Sequence, residues 1–193
     1  MNYRVDKISV PVYLTVFAIA LVWTGGAIAA PVAEAHWGIS VHHDRSFDAS
    51  LPSVSGFIEL LIRSSYGRIC HQIPDRCYWI AGHPMAVCAR CFGIYAGYIG
   101  GLVLYPFVVR LSNTETPHRK WLILALAPCG IDFLGGFTGL FQNTHGSRAA
   151  TGFIAGAACV FYTLPGLVQF ASARLNRRKS PLGPDLKNQL PGD

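Results

Sequence analysis

Four long apolar stretches, at residues 11–30, 91–109, 121–140 and 149–171, constrain this chain more than anything else in it. Each is close to the roughly 20 helical residues needed to cross a hydrocarbon core about 30 Å thick. A bilayer core offers no water to pair backbone N–H and C=O groups, so a spanning segment is either a helix or a strand of a closed barrel. The stretches lack the period-2 alternation a barrel needs. The expected fold is therefore all-α: a polytopic membrane protein with four transmembrane helices. Composition agrees, with 51% hydrophobic and only 13% charged residues.

Orientation follows from the basic residues. Arg4 and Lys7 precede the first stretch, and Arg110, Arg119 and Lys120 separate the second from the third. Arg174, Arg177, Arg178, Lys179 and Lys187 follow the fourth. The positive-inside rule makes these regions cytoplasmic. The expected plan is a cytoplasmic N-terminus at 1–10, a first span at 11–30, an extracytoplasmic segment at 31–90, a three-helix membrane core at 91–171 and a cytoplasmic tail at 172–193. Both termini are then on the inner side of the cell membrane. The first stretch has signal-peptide features, basic residues before it and Ala27-Ile28-Ala29 near its end, but it is longer than the usual h-region and reads as an uncleaved span. The net charge of +6 comes from bases lying between apolar segments rather than on one stripe. Topology explains that charge and nucleic acid does not.

The outer segment divides in two. Residues 31–53, with His36, His42, His43, Asp44, Asp48 and Pro52, read as a polar loop. Residues 54–69, VSGFIELLIRSSYGRI, read as a short interfacial helix in which Glu59 and Arg63 form an i, i+4 pair. Glycines recur every four residues as Gly93, Gly97 and Gly101, as Gly135 and Gly139, and as Gly152 and Gly156. Such spacing lets helix backbones approach closely, within the bundle or in a homo-oligomer.

Chemistry concentrates around Cys88 and Cys91. Three residues apart, they share a helix face on which Tyr95 and Tyr98 follow, opposite the glycines. Two thiols at this spacing are a usual half-site for tetrahedral Zn²⁺. Cys70 with His71, or either of them with His83, supplies the other half. The competing readings are two static disulfides among Cys70, Cys77, Cys88 and Cys91, or a thiol–disulfide oxidoreductase. In the latter, Cys88 and Cys91 at a helix N-terminus beside Arg90 exchange electrons with a dithiol or a quinone. A purely structural or assembly role is the third reading. Cys129 and Cys159 lie inside apolar runs and read as buried structural thiols. Asp132, well inside the third stretch, marks a functional site or a buried pair, with Arg148 as the first partner to consider and Arg90 the second. Gln142, Asn143, Thr144 and His145 would sit on the same side of the membrane as the thiols, which makes a composite pocket there an expectation.

Together, Cys70-His71-Gln72, Pro74-Asp75-Arg76, Gly82, Pro84, Cys88-Ala89-Arg90-Cys91 with Gly93-Ile94-Tyr95 and Gly97, then Asp132 and Arg148-x-x-Thr151-Gly152 with Gly156, resemble DUF2085, a family of small membrane proteins. The resemblance covers roughly residues 65–160. It implies no activity, the family being one of unknown function. It singles out Cys70, His71, Gln72, Arg76, Cys88, Arg90, Cys91, Asp132 and Arg148 as the polar set. Cys77 stands where the family pattern is expected to carry Ser, which removes it from a shared metal site and leaves a local bridge to Cys70 open. The leading expectation is a zinc site of Cys70, His71, Cys88 and Cys91, with Asp132 and Arg148 lining a cavity beneath it.

Overall fold

A computed structural model describes the backbone of residues 3–37 and 54–179, and the side chains of residues 8–36 and 61–176. The His42, His43, Asp44 and Asp48 loop, the Glu59 side chain and the end of the tail lie outside the described residues. The elements are α1 (Tyr3–Trp37), α2 (Val54–Gly67), a 3-10 turn (Pro74–Arg76), β1 (Cys77–Ile80), β2 (His83–Cys88), α3 (Ala89–Val108), α4 (Arg119–Thr138) and α5 (His145–Lys179). Four of the helices are long and apolar enough to cross a membrane. The chain is an all-α membrane protein with one small hairpin.

The apolar side chains invert the pattern of a water-soluble bundle. Phe107, Trp121, Phe137 and Leu140 point outward and are largely exposed, as expected where hydrocarbon rather than water is the solvent. What lies between the helices is small. A Cβ on Gly97 would run into the backbone of Phe153, one on Gly93 into Ala149, and one on Gly156 into Ile94, so α3 and α5 lie backbone to backbone. The glycine faces of α3 and α5 thus meet within one chain. On α4 the spacing has another meaning: Gly135 and Gly136 lie beneath the Phe141 ring and the Asn143 side chain, and Gly139 caps the helix at φ 74°.

The helices alternate in direction. Early in α1, Tyr13 donates from its hydroxyl to the Leu102 carbonyl late in α3 (3.0 Å). Gln169, late in α5, donates to the carbonyl of Thr114, just before α4. The end of α1, the start of α3, the end of α4 and the start of α5 therefore gather at one end of the bundle, with α2 and the hairpin over them.

Helices α1 and α5 extend beyond the expected spans. α1 continues past Ala30 to Trp37, which brings Glu34 into the fold. Buried Glu34 is held by Arg63 at 2.5 Å and by His83 Nδ1 at 3.1 Å. A β-hairpin leads from the 3-10 turn into α3. Its strands are joined by a two-residue turn with both residues at positive φ, Ala81 at 52° and Gly82 at 84°, the backbone that matches strand twist in tight hairpins. Its register sets Cys77 opposite Cys88.

Candidate metal centre and the pocket beside it

Three of the expected ligands converge. Cys70 leaves the end of α2, where its amide still donates to the Tyr66 carbonyl at 2.9 Å. Cys88 ends β2 and caps α3, and Cys91 lies in the first turn of α3. Their sulfurs lie within 4.8 Å of one another. Gln72 fixes the approach of Cys70: from a left-handed backbone at φ 50° it donates its Nε2 to the carbonyls of Arg63 and Ala86, both at 2.9 Å. It thereby ties the end of α2 to β2. The residue expected among the polar site groups is a brace for the thiol loop.

The trio is enclosed by Ala27, Ala30, Tyr66, Met85, Ala86 and Val87, with Tyr95 packed against them. Tyr95 stays near the thiols as its spacing implies, whereas Tyr98 turns to α5 and bonds the Thr163 hydroxyl at 2.8 Å. The Cys88 amide donates to the Cys70 sulfur at 3.2 Å. Hydrogen bonds from the Cys70 and Cys91 thiols outweigh burial and hold Cys88 well below the ordinary thiol range, with the amides of Cys91 and Arg90 assisting.

The other thiols and imidazoles stand apart. His71 is exposed and is not in the cluster, because the turn that buries Cys70 points its neighbour outward. His83 is engaged by Glu34. Cys77 is buried and donates to the Ile73 carbonyl at 3.1 Å; burial first, and then the nearby Cys70 and Cys88 sulfurs, push it up to about 12. All six cysteines are free thiols, so neither expected disulfide is present. Cys129 and Cys159 are half-buried rather than buried.

Asp132 is buried, 6% exposed, and its partner is Arg90 rather than Arg148. The reason is register: α3 starts level with the last turns of α4, so Arg90 meets Asp132 across the bundle. Ser147 donates to the second carboxylate oxygen at 3.0 Å, and Asn143 donates to the Asp132 backbone carbonyl. Ser147 and Glu34 are polar partners that sequence reasoning missed; each comes from a helix that runs beyond its apolar stretch. Of the expected composite pocket, only Asn143 of the 142–145 loop and, of the Cys70, His71, Cys88 and Cys91 set, only Cys88 line the cavity. His145 Nε2 lies 3.1 Å from the Asp75 carbonyl, Tyr78 donates to the His145 carbonyl at 3.2 Å, and Arg76, Cys88, Arg90, Asn143 and Arg148 line a common cavity.

Fold and site together define an integral membrane protein with a three-thiol cluster at one end of a four-span bundle. The family model described as predicted membrane protein (DUF2085) matches residues 70–162, and the chain belongs to that family. An uncharacterised protein of Methanocaldococcus jannaschii is 46% identical over 109 residues, which is 56% of this chain and 70% of that protein. Another uncharacterised protein, from Methanothermobacter thermautotrophicus, is 34% identical over 98 residues, 49% of this chain and 84% of its own length. No solved structure matches. The matched region holds the trio, Arg76, Arg90, Asp132 and Arg148, and leaves α1 outside it.

Proposed function

We propose that the protein is a metal-binding protein of the cell membrane, in which Cys70, Cys88 and Cys91 hold one Zn²⁺ as thiolates. The observation that carries this reading is convergence: a third sulfur, from a separate segment, meets a Cys-x-x-Cys pair within 4.8 Å. With Zn–S bonds of about 2.3 Å, tetrahedral sulfurs stand roughly 3.8 Å apart, a contraction that side-chain rotation supplies. His71 is outside the cluster, so the fourth position belongs to water or another exogenous ligand. Zinc sites with three protein ligands and one open position are reactive rather than merely structural. The bases Arg110, Arg119, Lys120 and Arg174 lie at the opposite end of the bundle from the thiols, which supports a cytoplasmic assignment for both termini and an outer-face site.

A dithiol oxidoreductase would use the same Cys88 and Cys91. The third thiol favours the metal. Cobalt substitution separates the two. Co²⁺ added to the reduced, detergent-solubilised protein is expected to give sulfur-to-metal charge-transfer absorption at one equivalent, lost in Cys70→Ser as well as in Cys88→Ser. No such absorption, together with a reversible disulfide between Cys88 and Cys91, would establish the oxidoreductase instead.

A further inference from the structure

Beside the trio, where α3, α4 and α5 meet, is a cavity of about 90 Å³. Three arginines line it: Arg76 from the 3-10 turn, Arg90 from the first turn of α3 and Arg148 from the first turn of α5. No carboxylate lines it. Asp132 neutralises Arg90 from behind, whereas Arg76 and Arg148 have no ion pair among the described residues. Arg76, which is exposed, and Arg148, which is half-buried, therefore bring two charges without an ion-pair partner to the cavity lining. Arg90 also keeps its Nε buried without a hydrogen-bond partner, a costly state for a charged group.

Like charges converge in this way when an anion completes the site. Guanidinium forks match pairs of oxygens on a tetrahedral oxyanion, and the first turns of α3 and α5 add the positive ends of their dipoles. The volume narrows the class. A cavity water needs roughly 10–15 Å³, so the pocket takes a group the size of several waters, one phosphoryl group and not a nucleotide. Phe133, whose ring is 5.5 Å from the Arg90 guanidinium carbon, and Phe137 form the wall toward α4. They are 52% and 80% exposed on the lipid side. A phosphate carried by a lipid can thus reach the arginines as readily as a free one.

We infer that Arg76, Arg90 and Arg148 form a binding site for a single phosphoryl group, free or as the head group of an anionic phospholipid. The site stands on the arginines and does not require a metal on the thiols. The test uses the full chain in neutral detergent, titrated with inorganic phosphate by calorimetry and, in mixed micelles, with phosphatidic acid against diacylglycerol by native mass spectrometry. Saturable one-to-one binding of either phosphate source is expected. It should weaken about tenfold or more in Arg148→Gln and in Arg76→Gln, as loss of a charge-assisted hydrogen bond requires, while Arg110→Gln at the opposite end stays at the wild-type value. Matching melting temperatures without ligand show that these variants fold. Phosphate binding identifies a free oxyanion; phosphatidic acid alone identifies a lipid head group. Failure of both to bind, or binding unchanged in the two arginine variants, overturns the proposal. So does joint loss of zinc and phosphate from Cys91→Ser, which removes a thiol but no pocket residue, since the anion would then sit on the metal.

Discussion

Asp132 shows how one side chain constrains the rest. Its carboxylate sits in a membrane-spanning helix because Arg90 and Ser147 bond its two oxygens, and removing one partner of a buried pair leaves the other charge stranded. Asp132→Ala is expected to destabilise the protein by roughly 3 kcal/mol, and Asp132→Asn, which keeps a hydrogen-bond acceptor, by clearly less. Adding Arg90→Ala to Asp132→Ala should cost less than the sum of the two single changes, a non-additivity that thermal unfolding in detergent measures. Equal losses in Ala and Asn, or strict additivity, would show that the pair is not coupled. The anomaly itself was legible, because a carboxylate in an apolar run is conspicuous. Its partner was not: Arg90 and Arg148 lie at the same end of the bundle, and only the relative height of α3 and α4 decides between them. For the thiols, the Cys-x-x-Cys spacing and the neighbouring Cys70 pointed to the cluster, while the outward turn of His71 depends on how Gln72 braces the chain.

Between elements, the α3–α5 contact is the axis of the molecule, and it is made by absence of side chains. Gly97→Val would drive a branched side chain into the Phe153 backbone and should destabilise by several kcal/mol, in the range of the worst core overpacking. Gly130→Val, on α4 with nothing within 4 Å, should be tolerated; a reversed order of melting temperatures would rule out the glycine interface. The repeat was readable on α3 and α5 because four-residue spacing maps directly onto a helix face. The hairpin was not readable. Its strands are short, Pro84 interrupts the second, and Met85, Ala86 and Val87 are buried consecutively, so no alternation announces a strand. Its turn makes a further prediction. Ala81 holds a left-handed backbone that asparagine adopts more readily, so Ala81→Asn should raise stability by about 0.5 kcal/mol, and a loss instead would mean that the turn differs from the one described.

At the scale of the whole molecule, four apolar stretches sufficed to set the architecture, since a bilayer permits few alternatives. They understated the two longest helices, because residues such as Glu34 and Ser147 continue a helix without being apolar. The alternation of helix direction puts the 110–118 segment opposite the thiol end. A cysteine introduced as Asn113→Cys should therefore label with a membrane-impermeant reagent from the cytoplasmic side, and one introduced as Gly146→Cys from the outer side; the reverse pattern would invert the site's exposure. The central claim concerns what the three sulfurs hold. Elemental analysis of the full chain, purified under reducing conditions without added metal or chelator, tests it most directly. The account predicts about one zinc per chain in the wild type and none in Cys88→Ser, whereas a wild-type protein with no bound metal and three freely titrating thiols would contradict it.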